Sequence, residues 1–234
     1  MRWHIGTSGY SYAPWKGKFY PPRLPAKEML GYYAGRFDTV EINSSFYRMP
    51  LADTLSAWAA QVPADFRFAF KAPRRITHDR RLRDVAEDTA YFLKTTETLG
   101  ARRGPLLFQL PPGFAVDRER WRAFLALLPA AVPAAFEFRH ASWHDAAIYD
   151  DLRARNFALG VTDTDEDGAS PLVATAEWGY LRLRRSAYDE AALGDWVARL
   201  RALPWREVYV YFKHEDEARG PALAQRLLAL TQGA

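Results

Sequence analysis

Ala134-Ala135-Phe136-Glu137-Phe138-Arg139-His140-Ala141-Ser142-Trp143 sets two opposite charges inside what otherwise reads as a buried strand. Successive side chains of a strand alternate sides, so Glu137 and Arg139 share one face while Phe136 and Phe138 share the other. If the strand is a stave of a barrel, the charged face is the interior one. A charged pair there is costly unless it is neutralised or used. The pair is then either a plug or one wall of a site, since functional charges cluster in sites.

The chain around this stretch repeats one pattern. Short apolar runs recur at Trp3 to Ile5, Thr39 to Asn43, Arg67 to Lys71, Leu106 to Leu110, Ala158 to Val161, Gly179 to Leu183 and Glu207 to Phe212. Between them lie segments with helical spacing of apolar residues. These predict helices over 26–37, from an Asp53 N-cap to Gln61, 85–99, 118–128, up to about Arg155, around Leu193 to Leu200, and 222–230. Thr164 to Pro171 is too short and polar for a full crossover helix. With the opening stretch there are eight strands, nearly all followed by helices, and eight parallel strands close. The expected fold is a single α/β domain over residues 1–234, a (β/α)8 TIM-type barrel whose sixth crossover helix is short or missing. An open doubly wound sheet is disfavoured because no Gly-rich phosphate fingerprint follows the first strand.

A length of 234 residues with 49% hydrophobic composition is enough for one such barrel. The absence of cysteine excludes disulfides, thiolate metal sites and a cysteine nucleophile. No apolar run of signal-peptide or membrane-spanning type is present, so a cytoplasmic location and no membrane partner are expected. A net charge of +4 permits anionic ligands without requiring nucleic acid.

Six motifs occur in order: Gly6-Thr7-Ser8-Gly9-Tyr10-Ser11-Tyr12, Val40-Glu41-Ile42-Asn43-Ser44-Ser45-Phe46-Tyr47, Phe70-Lys71-Ala72-Pro73, Ile76-Thr77-His78, Gln109-Leu110-Pro111-Pro112 and Phe136-Glu137-Phe138-Arg139. Together they resemble the YecE-like family, the domain of unknown function numbered seventy-two. The resemblance implies a TIM-type barrel and no particular reaction. Two strand ends depart from the family pattern. The seventh strand there tends to read Arg-Leu-His-Gly and here reads Arg182-Leu183-Arg184-Arg185, and the eighth often ends Phe-Asn-Asn and here ends Phe212-Lys213-His214. Only Arg182 matches at the seventh strand.

Strand exits of a TIM barrel lie on one face, where active sites form. The exits here carry Ser8, Glu41, Asn43, Lys71, Gln109, Glu137, Arg139, Asp163, Arg182 and Lys213, and such convergence of polar groups marks a ligand site. Glu41 and Glu137 are the candidate acid and base, with one carboxyl ionised and the other protonated; simple neutralisation of a cation is the alternative. Lys71 is the third catalytic candidate, able to polarise a carbonyl, form a Schiff base or hold an anion. Arg139, Arg182 and Lys213 are expected to hold a phosphate or carboxylate. Tyr10, Asn43, Tyr47, His78, Gln109, Trp143 and Asp163 complete the expected binding set, the aromatic members as a stacking wall or as packing for a lid. His140 and His144 alone make a weak metal pair, so no metal and no cofactor are expected. The leading reading is an enzyme acting on a small anionic, phosphorylated or sugar-like molecule. A nucleic-acid-binding barrel using Arg74, Arg75, Arg80, Arg81 and Arg83 and a non-catalytic metabolite binder are the alternatives; oligomeric state is open.

Overall fold

Strand and helix alternate along the chain in a computed structural model that describes residues 1–232. The staves are β1 Arg2–Thr7, β2 Thr39–Ile42, β3 Arg67–Lys71, β4 Arg103–Gln109, β5 Ala134–Glu137, β6 Ala158–Thr164, β8 Trp178–Leu183 and β9 Glu207–Phe212, with a two-residue β7, Gly168–Ala169, folded back on β6. They run parallel in the order β1-β9-β8-β6-β5-β4-β3-β2. The expected seventh and eighth staves are therefore β8 and β9. The helices are α1 Met29–Ala34, α2 Ala52–Ala59, α3 Ala86–Glu97, α4 Arg118–Leu125, α5 Ala146–Arg153, α6 Glu190–Arg201 and α7 Arg219–Gln232. This is the expected TIM-like barrel, nearly closed.

The β6–β8 crossover has no helix, as its polar, turn-rich residues imply; β7 and extended chain take its place. Helix boundaries differ from expectation in places: α4 stops at Leu125 and α7 already starts at Arg219. The first helix is only Met29–Ala34, preceded by a 3-10 turn at Ala26–Glu28. Asp53 is not an N-cap: Leu51 holds that position and Asp53 lies in the first turn of α2, where a carboxylate still favours the positive end of the helix dipole. Among the described residues no helix is long and apolar enough to cross a membrane.

Period-two alternation sorts each stave into two faces. Outward residues pack against the helices: Phe136 stacks on Phe108 with ring centroids 5.3 Å apart and meets Trp121 of α4 at 4.8 Å. Inward residues form a separate cluster in which Ala69, Leu107, Ala135 and Ala158 face Trp178, Tyr180, Tyr209 and Tyr211. Small side chains on one wall leave room for rings from the other, so the interior is filled without a pore.

β1 and β2 close the barrel across a thin seam. Their ladder is reduced to a bridge between Ser8 and Glu41, with the Gly9 N–H donating to the Glu41 carbonyl at 2.7 Å. Below it the buried Tyr33 hydroxyl stands in for a ladder bond, accepting from the Thr7 N–H at 2.8 Å and donating to the Thr39 carbonyl at 3.0 Å. The strands come so close that a Cβ on Gly6 would lie 2.2 Å from the Thr39 carbonyl oxygen, which only glycine tolerates.

At the opposite, N-terminal end, His4 is buried and stacked on Tyr209, with Nδ1 2.6 Å from Asp38 and Nε2 3.4 Å from Glu207. Burial works to lower its pKa, and the two carboxylates overcome this and raise it.

Two outcomes follow from these contacts. Tyr33→Phe leaves the buried Thr7 N–H without its acceptor, and urea denaturation should register a loss of about 1–3 kcal/mol. Because the folded-state pKa of His4 is raised, its contribution is full below the unfolded value of 6.5 and is lost as pH rises through the folded value. The stability difference between wild type and His4→Phe should therefore shrink on going from pH 6 towards pH 9; a pH-independent difference would show that folding leaves the His4 pKa unshifted, and a growing one that the fold keeps His4 neutral.

Candidate functional site

Inward positions two residues apart on a stave occupy successive layers of the barrel. Above the aromatic layer comes one containing Ser8, Glu41, Gln109, Glu137 and Arg182. Asn43, Lys71, Arg139, Arg184 and Lys213, each two positions further along its segment than an inward residue, reach the mouth.

The lower of these layers is built on Arg182. Its Nε lies 3.0 Å from Glu41 and its Nη1 2.9 Å from Glu137, while Nη2 reaches the Asn43 side-chain oxygen at 3.4 Å. Glu41 also accepts from the Ser8 hydroxyl and, at 2.6 Å, from the Tyr180 hydroxyl. Glu137 also accepts from the Gln109 amide at 2.6 Å and from Arg139 Nε at 3.2 Å. Each carboxylate thus has three donors, which is what a fully buried charge requires. Burial pushes the Glu137 carboxyl up, but Arg182, Arg139 and the Gln109 amide outweigh it and bring the group to about 2. Burial and Arg182 compete in the same way at Glu41, and the net direction is again downward.

Above this layer lies a cavity of about 200 Å3 lined by Asn43, Phe46, Tyr47, Lys71, Gln109, Arg139, Arg182, Arg184 and Lys213. Five of these nine are cations. The Lys71 ammonium sits 3.9 Å from the centroid of the Phe46 ring. Burial first, and then the charge of Arg182, lowers Lys71 to about 8. Arg184 and Lys213 are lowered by burial and by their cationic neighbours. Among the described residues, the Asn43 side-chain nitrogen is buried without a hydrogen-bond partner. Larger cavities adjoin the mouth: Arg139 and Arg184 also line one beside the β6–β7 turn, and Arg184 and Lys213 line another beside the turn after β9.

The expected residues divide accordingly. Asn43, Tyr47, Lys71, Gln109, Arg139, Arg182 and Lys213 meet at the mouth, with Tyr47 the most open at 80% exposure. Glu41 and Glu137 do not line the cavity; both lie beneath it, both below the ordinary carboxylate range, so the expected split into one ionised and one protonated carboxyl is not the state of this pair. Trp143 is no wall of the site. It is fully buried on the outer face, stacked on Phe138 at 5.0 Å with its indole N–H donated to the Phe114 carbonyl. Asp163 points outward as well, because β6 turns Thr162 inward; its carboxylate takes Arg185, the Tyr188 hydroxyl and the Trp196 indole N–H. Tyr10 packs on Tyr33 and Trp58 and lines another cavity, of about 280 Å3, which shares Asn43 with the mouth. His78 stands edge-on to Phe46 at 4.8 Å, outside the lining, and burial and the nearby Lys71 lower it to about 4.

Two contributors had no role in the sequence reading. Arg184 departs from the family pattern, but its spacing of two from Arg182 places it one layer higher. Tyr180, two residues before Arg182, carries the same signal. His140 accepts from the Ser142 N–H and His144 contacts the Tyr149 hydroxyl, and among the described residues no group of three His, Asp or Glu is placed to hold a metal. In the arginine-rich loop Arg74 pairs with Asp79 and Arg75 with Asp88.

Comparison with known proteins agrees with this architecture. The family model described as "Protein of unknown function DUF72" matches residues 4–234. The UPF0759 protein YunF of Bacillus subtilis is 27% identical over 232 residues, spanning 92% of this chain and 79% of YunF. The UPF0759 protein YecE of Escherichia coli K12 is 36% identical over 111 residues, spanning 46% of this chain and 40% of YecE. A solved DUF72 family protein from Thermotoga maritima superposes with a TM-score of 0.82 at 26% identity, over 99% of this chain and 100% of that one. Another, from Enterococcus faecalis, shares the fold with a TM-score of 0.80 at 19% identity, over 99% and 96%. With its barrel shared by solved members and the family match running from residue 4 to residue 234, this chain belongs to the DUF72 family.

Proposed function

We infer that the protein is an enzyme whose small anionic substrate, bearing a phosphate or carboxylate, binds at the barrel mouth with Lys71 as the reactive group. The observation that carries this reading is the surplus of positive charge there. Lys71, Arg139, Arg182, Arg184 and Lys213 surround one cavity, and the two carboxylates beneath it are already paired with Arg182 and, for Glu137, with Arg139 as well, so five cations face two anions. Cations at close quarters in a part-buried site repel one another: Lys71, Arg184 and Lys213 are lowered first by burial and then further by their cationic neighbours. An anion seated among them relieves it and gains charge-assisted hydrogen bonds.

The cavity among all five cations holds about 200 Å3, room for the anionic group, and cavities of about 490 and 410 Å3 that share Arg139, Arg184 and Lys213 leave space for the rest of a small ligand. The ion pairs of Arg74 and Arg75 with Asp79 and Asp88 take up part of the charge of the arginine-rich loop, which favours a small molecule over nucleic acid. Among residues reaching the cavity, Lys71 is the one brought to about 8, where it gains and loses a proton near neutral pH. Glu41 and Glu137 act on this reading as fixed anions that orient Arg182 and neutralise part of the charge.

Inorganic phosphate titrated by calorimetry at low ionic strength should bind, weaken as salt is added, and bind about tenfold more weakly to Arg184→Gln, as expected for loss of one charge-assisted contact. No binding of phosphate or sulfate at low salt would sink the anion reading. Glu137→Gln should cost about 3 kcal/mol of stability in urea, because it leaves Arg182 and Arg139 short of a buried counter-charge. The wild-type contribution of Glu137 is present above the unfolded value of 4.5 and lost as pH falls towards about 2, so Glu137→Gln should flatten that part of the acid-denaturation profile.

A further inference from the structure

We propose that Lys71 condenses through its side-chain nitrogen with the carbonyl carbon of a small aldehyde or ketone that also carries a phosphate or carboxylate, forming an imine in the barrel mouth. The anion-binding reading of the mouth is the premise. Lys71 is the last residue of β3 and its backbone is held on both sides. Its carbonyl accepts from the Ser45 hydroxyl at 2.6 Å, and the following Ala72 N–H donates to Leu107 at 2.8 Å. Its nitrogen rests over the Phe46 ring, and the nearest buried carboxylates are taken by Arg139 and Arg182, so no salt bridge ties it down among the described residues. Lys213, the other lysine of the mouth, lies beyond the end of β9 and is held less firmly, its N–H 3.3 Å from the Leu183 carbonyl.

The surroundings supply what the condensation needs. Asn43 lines the same cavity, its oxygen is fixed by Arg182, and its buried side-chain N–H2 has no partner among the described residues, a donor of the kind that suits the carbonyl oxygen as charge develops on it. Arg184, Lys213 and the terminal nitrogens of Arg139, whose Nε goes to Glu137, remain for the anionic group. The amine lone pair attacks the carbonyl carbon, a C–N bond forms and the π pair moves to oxygen. A proton passes from nitrogen to that oxygen, and the carbinolamine loses water. Counted from the ammonium and the carbonyl compound, the products are one protonated imine and one water, so atoms and charge balance. The protonated imine is again a cation and keeps the contact with the Phe46 ring. At pH 8 about half of Lys71 is free amine, against roughly 0.3% of a lysine with the ordinary value of 10.5.

The test is reductive trapping of the full chain at pH 8. Pyruvate, a carboxylate ketone, and dihydroxyacetone phosphate, a phosphate ketone, are each supplied with sodium cyanoborohydride, which delivers hydride to the imine carbon, and the labelled lysines are located by peptide mass mapping. Expected is an adduct at Lys71 formed at least about tenfold faster than at the exposed Lys94 or at Lys213, with acetone, which has no anionic group, slower than the better probe by a similar factor. The preferred probe identifies the anionic group. Lys71→Arg, which keeps the charge, should lose the adduct while still binding inorganic phosphate. If phosphate binds and Lys71 labels no faster than Lys94, imine formation is overturned and the anion site stands. If phosphate does not bind and acetone labels Lys71 as fast as the anionic ketones, the amine is reactive but the substrate class is overturned with its premise. Faster labelling at Lys213 overturns the assignment to Lys71.

Discussion

One guanidinium held between two carboxylates in the middle of the barrel sets the conditions for everything above it. Arg182 joins β8 to β2 through Glu41 and to β5 through Glu137, across the interior, where no backbone ladder can connect those strands. Moving these charges out of water is expensive, and their attraction offsets the cost only when the remaining lone pairs are also filled. Ser8, Tyr180, Gln109 and Arg139 fill them, so β1 and β4 are drawn into the same network. A one-residue slip of any of these strands would turn its member of the network outward into the helix layer. The network therefore specifies register as well as neutralising charge.

The network also divides the barrel into a part that packs and a part that binds. Below it, alanines of β3, β5 and β6 face the rings of β8 and β9, and the space is full. Above it, the side chains that follow on the same faces are long cations with no further carboxylate beneath them. The mouth is thus cationic for a local reason: Glu41 and Glu137 spend their charge on the layer they belong to.

Much of this was written in the alternation of residues along each strand. Glu137 and Arg139 meet at 3.2 Å on one face while Phe136 and Phe138 pack on the other, and the polar crossover between β6 and β8 lacks a helix. The same rule, applied consistently, would have turned Asp163 outward, since Ala158 begins the inward series on β6 that continues through Gly160 to Thr162. It would also have moved Arg184 into the mouth. Other features had no such signal. Trp143 lies past the end of its strand in a 3-10 turn, where periodicity says nothing about direction. The protonation of Glu41 and Glu137 depended on how many donors converge on each, which is a three-dimensional quantity.

The pairing of β1 with β9 has a consequence for how the molecule comes to be made. β1 meets its main ladder partner across some two hundred positions of chain, and its other neighbour, β2, offers little more than the Ser8 bridge and the Tyr33 hydroxyl. During synthesis β1 emerges before the other staves of the barrel and waits for β9, the last of them. Until then both of its edges are open, and the loop that must close is the longest in the fold, which makes closure slow and non-local. A cell that makes this protein has to keep the open edge of β1 from pairing elsewhere for as long as the strands between it and β9 take to be made.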